Sequence, residues 1–311
     1  MEVIRNIEDI QRISGGVVTV GTFDGIHIAH QAILKRVIEY AKEHNCNSSV
    51  VTFDPHPRLV VGKEPGKNIE LLTTTEEKIG LFRSFDIDRA IIIPFTNEFS
   101  RTSPEDFLNN VLCKRIGLQK LIIGYDHGFG RNRAGGIVFL RKYEEMCGFK
   151  LNVQEPVTNV FGAVSSTQIR TFLKEGEVDK AKQSLGRPYS FSGKVIKGDE
   201  RGRTLNFPTA NIAIDNDFKA IPGNGVYVVE IMLDDKKYSG VMNIGNRPTF
   251  DSKKAAMEVH IFNFSKNIYN ESVTINFLKR IREEIKFDSP ELLKKQIEAD
   301  CIIAQEFFSG Q

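Results

Sequence analysis

The chain has 311 residues, of which 41% are hydrophobic and 26% charged, and its formal net charge is +2. That length is comfortable for two domains, each burying its own core. The near-neutral balance, with no basic block and no arginine-and-aromatic run, argues against a nucleic-acid-binding or membrane-seeking surface. Cys46, Cys113, Cys147 and Cys301 lie far apart in the chain with no pair at metal-ligand spacing, which suits free thiols in a reducing compartment. Residues 1–6 lack an apolar signal-peptide core and no apolar run approaches bilayer length, so a cytoplasmic location is expected.

Residues 17–20 are a β-branched run that breaks at Gly21 and leads through Thr22-Phe23-Asp24-Gly25-Ile26 to His27 and His30, before a helical pattern begins. A strand, turn and helix start of this kind bring backbone N–H groups and a positive helix end to the carboxyl edge of a parallel strand. An open α/β sheet binds phosphorylated ligands there. Two imidazoles in that loop form a small anion clamp, donating to phosphoryl oxygens as charge builds up in transfer. The plainer reading is a strand-to-helix turn with two polar histidines.

Further along, Ile33, Leu34, Val37, Ile38 and Ala41 fall at helical spacing, which predicts an amphipathic helix over residues 30–43. A buried strand over residues 49–53 ends in Asp54-Pro55-His56-Pro57, where His56 is either a ligand-facing group or part of a rigid turn. Thr74 to Glu77 reads as a capping box, residues 90–93 as a strand, and Ser103-Pro104 as a helix start with Phe107, Leu108, Val111 and Leu112 inward. Residues 121–124 form another strand, running into the glycine-rich loop 125–133. Asp126 there either holds a ligand hydroxyl or amide, or caps the turn. Strands alternating with helices predict a doubly wound parallel sheet. Ser165, Ser166 and Thr167 then offer hydroxyls and N–H groups at a helix start, with Arg170 one turn on, at a distance suited to sharing an anion.

A short helix over residues 177–185 ends at Gly186-Arg187, and the chain changes character near residue 187, the expected domain boundary. Short alternating runs follow at residues 191–196, 225–233, 237–244, 256–262 and 271–278, then a terminal helix from Ser289-Pro290. This predicts a small closed β-barrel with a C-terminal helix. Residues 193–211 combine a glycine and arginine loop, including Gly198 and Arg203, with Pro208-Thr209-Ala210-Asn211. That segment is either a plain hairpin or a phosphate loop beside two neutral oxygens suited to magnesium. Glu258 alternates with Met257, Val259 and Ile261 and shares its face with His260.

The His27-to-His30 loop resembles the HxGH signature of the nucleotidyltransferase superfamily, with Ala29 where glycine is usual. Residues 164–170 resemble its ISSTxIR element, with Val164 leading, and His127 stands where phenylalanine is usual in a Gly-x-Asp-Phe element. The Gly-x-Val-x-x-Gly run ending at Gly198, the Pro-Thr-Ala-Asn element, residues 243–250 and Glu258-Val259-His260 look like the riboflavin kinase domain. Nearly the whole chain thus resembles the bifunctional prokaryotic riboflavin kinase/FMN adenylyltransferase family. The resemblance implies a Rossmann-like sheet over residues 1–186 and a kinase barrel over residues 187–311. It implies ATP contacts from His27, His30, Ser166, Thr167 and Arg170, with His27, His30 and Arg170 catalytic, and places Gly21, Phe23, Asp24 and Asp126 among the cofactor-binding residues. In the barrel it implies Gly198 and Arg203 at the phosphates, Mg2+ with ATP at Thr209 and Asn211, and Glu258 as the base toward riboflavin. The implied partners are riboflavin, FMN and ATP, with no nucleic acid and no membrane.

Overall fold

The structure of the chain, a computed structural model, describes residues 1–10, 16–61, 69–198, 207–246 and 255–310. It divides into two compact units, Met1–Ser166 and Thr167–Gln311.

The first unit opens with β1 (Glu2–Ile4), β2 (Gly16–Val20), α1 (Ile28–Glu43) and β3 (Asn47–Asp54). There follow α2 (Pro57–Val60), α3 (Thr75–Ser84) and β4 (Arg89–Pro94). A short turn, α4 (Pro104–Asp106), runs into a π-helix over Phe107–Ile116, and β5 (Leu118–Gly124), α5 (Ile137–Cys147) and β6 (Lys150–Gln154) complete the winding. The six strands form one sheet in the order β1-β4-β3-β2-β5-β6, and every neighbouring pair is parallel. The expected doubly wound sheet is present. Alternation along the strands divides the core into two layers. Val18, Val20, Val51, Phe53, Leu121 and Ile123 face one side, while Val17, Val50, Ala90, Ile92 and Ile122 face the other.

Local chemistry sets the helix starts. Thr74 Oγ1 accepts from Glu77 N at 3.2 Å and Glu77 Oε2 accepts from Thr74 N at 2.9 Å, the reciprocal capping box. Ser103 Oγ accepts from Asp106 N at 3.0 Å ahead of a proline first turn. The next ten residues wind as a π-helix rather than the expected α-helix. Bonding from i to i+5 stacks residues four and five apart, which keeps Phe107, Val111, Leu112 and Ile116 together on the buried side.

Two short strands, β7 (Thr158–Asn159) and β8 (Gly162–Ala163), pair as a hairpin before α6 (Ser166–Lys174) and α7 (Val178–Leu185). In the second unit β9 (Tyr189–Ile196), β10 (Ala210–Ala213), β11 (Gly225–Leu233), β12 (Lys236–Asn246), β13 (Ala255–Ile261) and β14 (Ser272–Arg282) close a barrel in the order β10-β13-β12-β11-β14-β9. Tyr189, Phe191, Tyr227 and Phe277 pack into its interior with ring centroids 5.3–6.3 Å apart. The C-terminal helix, Pro290–Ser309, covers one outer face, burying Cys301 and Ala304 against Val226, Val228 and Val241. Asp300 fixes it there, accepting from Arg282 Nε at 3.0 Å and Nη2 at 2.8 Å and from Gln296 Nε2 at 3.0 Å.

Candidate active sites

The winding of the sheet reverses between β2 and β5, which lie side by side. In an open parallel sheet the crevice for a ligand opens beyond the carboxyl ends of the strands at such a reversal. The loop after β2 carries Gly21, Phe23, Asp24, His27 and, just inside α1, His30. The loop after β5 carries Asp126.

The β2–α1 loop is tightly braced. Phe23 and Ile26, neither a glycine, have φ of +48° and +39°, and Gly25 has +84°. Left-handed conformations at bulky residues are held only where the surroundings over-determine them, and they concentrate at functional sites. Asp24, 2% exposed, spends its carboxylate on the brace: its Oδ1 accepts from Thr73 N at 3.1 Å, while Thr73 Oγ1 accepts from Gly25 N at 2.9 Å. Gly21 N donates to Val51 O at 3.0 Å. The Phe23 ring turns inward, 5.6 Å from Phe82 and 5.1 Å from His30, so this position offers a ligand its backbone.

His27, N-terminal cap of α1 and 5% exposed, stacks on His30 with ring centroids 3.7 Å apart and planes 16° from parallel. His30 Nδ1 is enclosed with no hydrogen-bond partner. Burial, then His27, then the Lys78 ammonium hold His30 well below the ordinary histidine range. At neutral pH its ring is therefore neutral, with one N–H to donate. Lys78 was not legible as a site residue. Its one signal was a lysine four residues before Phe82 on the apolar stripe of α3, where Ile79 and Phe82 are also buried.

His56, left open between two readings, accepts a hydrogen bond from Arg58 N at 3.1 Å through Nδ1 and caps α2. On β5's side Asp126 is exposed, and its carbonyl accepts from Arg133 Nη2 at 2.8 Å. Ser166 Oγ donates to Asp24 O at 2.9 Å. Thr167 and Arg170 follow on α6, within the second unit.

In the barrel, register assembles a row that spacing alone does not reveal. Asn211 on β10 pairs with Glu258 on β13, and Glu258 pairs with Asn243 on β12. Directly paired residues share a face with Cβ atoms about 5 Å apart, so the carboxylate of Glu258 stands between two carboxamides. Met257, Val259 and Ile261, on the opposite face, are buried in the barrel. His260, next along the Glu258 face, donates from Nδ1 to Pro208 O at 2.8 Å and packs 5.5 Å from Phe207, which anchors the chain leading into half-buried Thr209. Gly198, where β9 ends beside β10, has no room for a side chain, since a Cβ there would overlap the Asn211 carboxamide. Arg203 and residues 247–250 lie outside the described residues.

Among the described residues no three His, Cys, Asp or Glu side chains gather to hold a metal. Magnesium accepts neutral oxygens and completes its shell with water and substrate phosphates. Thr209 and Asn211 (7% exposed) supply a hydroxyl and a carboxamide of that kind.

Two family models match in tandem, FAD synthetase over residues 9–168 and riboflavin kinase over residues 185–308. A bifunctional riboflavin kinase/FMN adenylyltransferase from Buchnera aphidicola subsp. Schizaphis graminum is 36% identical, over 99% of this chain and 99% of its own. The protein of that name from Listeria monocytogenes serovar 1/2a is 35% identical, over 94% of this chain and 92% of its own. A crystal structure described as a macrolide-efflux protein from Streptococcus pneumoniae matches with a TM-score of 0.90 at 30% identity, covering 98% of this chain and 99% of that one. Among the described residues no helix is long and apolar enough to cross a membrane. Fold and sites define a tandem transferase, a nucleotidyltransferase-type sheet followed by a kinase-type barrel. The chain belongs to the bifunctional riboflavin kinase/FMN adenylyltransferase family.

Proposed function

We infer that this chain makes flavin cofactors in two steps, phosphorylating riboflavin to FMN with ATP and then joining FMN to the AMP moiety of a second ATP to give FAD and pyrophosphate. The observation that carries the reading is the tandem match of both family models, with relatives of the bifunctional kind aligned over almost the full chain. The two activities divide between residues 1–186 and residues 187–311, in the cytoplasm, with magnesium accompanying ATP at both sites.

In the barrel, Glu258 takes the proton of the ribityl primary hydroxyl as its oxygen bonds to the γ-phosphorus and the bond to ADP breaks. Thr209 and Asn211 hold the magnesium, which neutralises phosphate charge when bound. The Gly198 segment, with Arg203, lines the phosphates, and the backbone at Gly198 can approach closely because no side chain intervenes. In the sheet unit, a phosphate oxygen of FMN attacks the α-phosphorus of ATP in line and pyrophosphate departs. No covalent enzyme intermediate is needed. The backbone of the Gly21–Phe23–Asp24 loop, with His27 and the neutral His30 as donors, stabilises charge at the transferring phosphate. Ser166, Thr167 and Arg170 hold the triphosphate tail, and Asp126 holds a polar group of the ligand at the β5 edge.

The test is a time course of riboflavin, ATP and magnesium with the full chain, separating the flavin products. FMN should appear first and give way to FAD. His30→Ala should lower FAD formation by about 10²-fold while leaving FMN formation intact, and Glu258→Ala should do the reverse by a similar factor. Equal loss of both activities in either variant would refute separate sites.

A further inference from the structure

Lys78, on α3, is 4% exposed, and its Nζ donates to Thr22 O at 3.3 Å and to Thr52 Oγ1 at 3.5 Å. Neither acceptor carries a charge. An ammonium buried on two neutral oxygens is an expensive way to tie a helix to a sheet, and Ile79 and Phe82 already pack α3 into the same core layer. The carboxylates of Asp24 and Asp54 act on Lys78 and partly offset the burial that lowers its pKa. What sets this lysine apart is its first partner. Thr22 immediately precedes Phe23, where the backbone enters the left-handed region, and its carbonyl also accepts from Thr52 Oγ1 at 3.2 Å. Lys78 and Thr52 thus pin the entrance of the strained loop, while Asp24 and Thr73 pin its middle.

We propose that Lys78 is a positioning residue for adenylyl transfer: from α3 it holds the Thr22 carbonyl and so keeps the β2–α1 loop in the shape that presents its N–H groups, His27 and His30 to the transferring phosphate. The proposal rests on the adenylyltransferase reading of the first unit and extends it to a residue outside both sequence motifs. Lys78 has a second, electrostatic effect. Besides burial, His27, the N-terminal cap of α1, and Lys78 on α3 both disfavour protonation of His30.

The test uses the full chain, assayed for FAD formation from FMN and ATP and separately for FMN formation from riboflavin. Lys78→Met keeps an unbranched stem without donor or charge, and Lys78→Gln keeps one donor without the charge. The kcat for FAD formation should fall about 100-fold in the first and about tenfold in the second, with KM for ATP within about threefold. FMN formation should be unchanged. The acid limb of the kcat profile for FAD formation should move to higher pH in both variants, because His30 has lost a neighbouring positive charge. A purely structural lysine would lower stability and leave kcat for FAD formation in the folded protein at its wild-type value. Wild-type kcat with an unmoved limb, or a loss confined to KM, overturns the proposal. If Lys78→Met does not fold, Lys78→Gln and its pH profile decide alone. An unaltered chain that makes FMN but no FAD from added FMN overturns the adenylyltransferase reading, and the proposal with it.

Discussion

His127 is poorly matched to its surroundings. Its Nε2 is enclosed without a hydrogen-bond partner, its ring lies 5.7 Å from Phe129, and burial, helped by Arg133, lowers its pKa to about 4. Above the unfolded histidine pKa both states are neutral and the residue contributes no pH dependence. Below it the unfolded chain binds a proton that the folded chain refuses, so stability is lost as pH falls from about 6.5 toward 4. His127→Phe removes that proton uptake. Urea unfolding should find the variant's advantage over wild type larger by about 2 kcal/mol at pH 5 than at pH 7.5. A difference independent of pH would contradict the assignment. The histidine was visible in sequence as a departure from a phenylalanine-bearing element, but its enclosure was not.

At the scale of elements, glycines and register decide the barrel site. Gly193 and Gly198 lie at the crossing of β9 with β10, where a Cβ at Gly193 would come within 2.6 Å of Ala213 O. Gly198→Ala pushes a methyl into the Asn211 carboxamide. The expected result is a fall of about tenfold or more in FMN formation, with FAD formation from supplied FMN unchanged. An unaffected kinase would show that Asn211 can move without consequence. Sequence periodicity located five of the six barrel strands, but β10 escaped it. Pro208, Ala210 and Asn211 are weak strand formers, and the segment is a strand because β9 and β13 supply partners on both sides. The capping box of α3 was legible because both of its hydrogen bonds are made within four residues. The π-winding of Phe107–Ile116 was not, since α and π patterns of paired apolar residues look alike over two turns.

On the scale of the whole molecule, each unit encloses its own core. On the barrel's outer face Arg282 and Asp300, whose side chains are 17% and 3% exposed, form a buried ion pair. Asp300→Ala leaves the guanidinium without its partner, a change that costs about 3–5 kcal/mol when such a pair is broken rather than replaced. After graded heating, the variant should lose FMN formation at temperatures where FAD formation from supplied FMN persists. Simultaneous loss of both would mean that the units do not unfold separately. The ion pair could not be read from the chain, because its partners stand eighteen residues apart on elements of different type.

The sequence by itself determined the alternation of strands and helices, the caps and proline starts, the change of character into short strands, and the two motif sets that carry the family resemblance. These are local properties, expressed by periodicities and by hydrogen bonds within a turn. Only the tertiary structure decided that Asp24 braces Thr73, that Lys78 reaches the Thr22 carbonyl, and that Glu258 stands between Asn211 and Asn243. It also brought Cys113 beside Cys147, where burial and the neighbouring thiol raise Cys113 to about 12. Each of these depends on strand register or on burial by distant chain. A shift of register by one residue leaves the local pattern intact and turns every side chain to the other face.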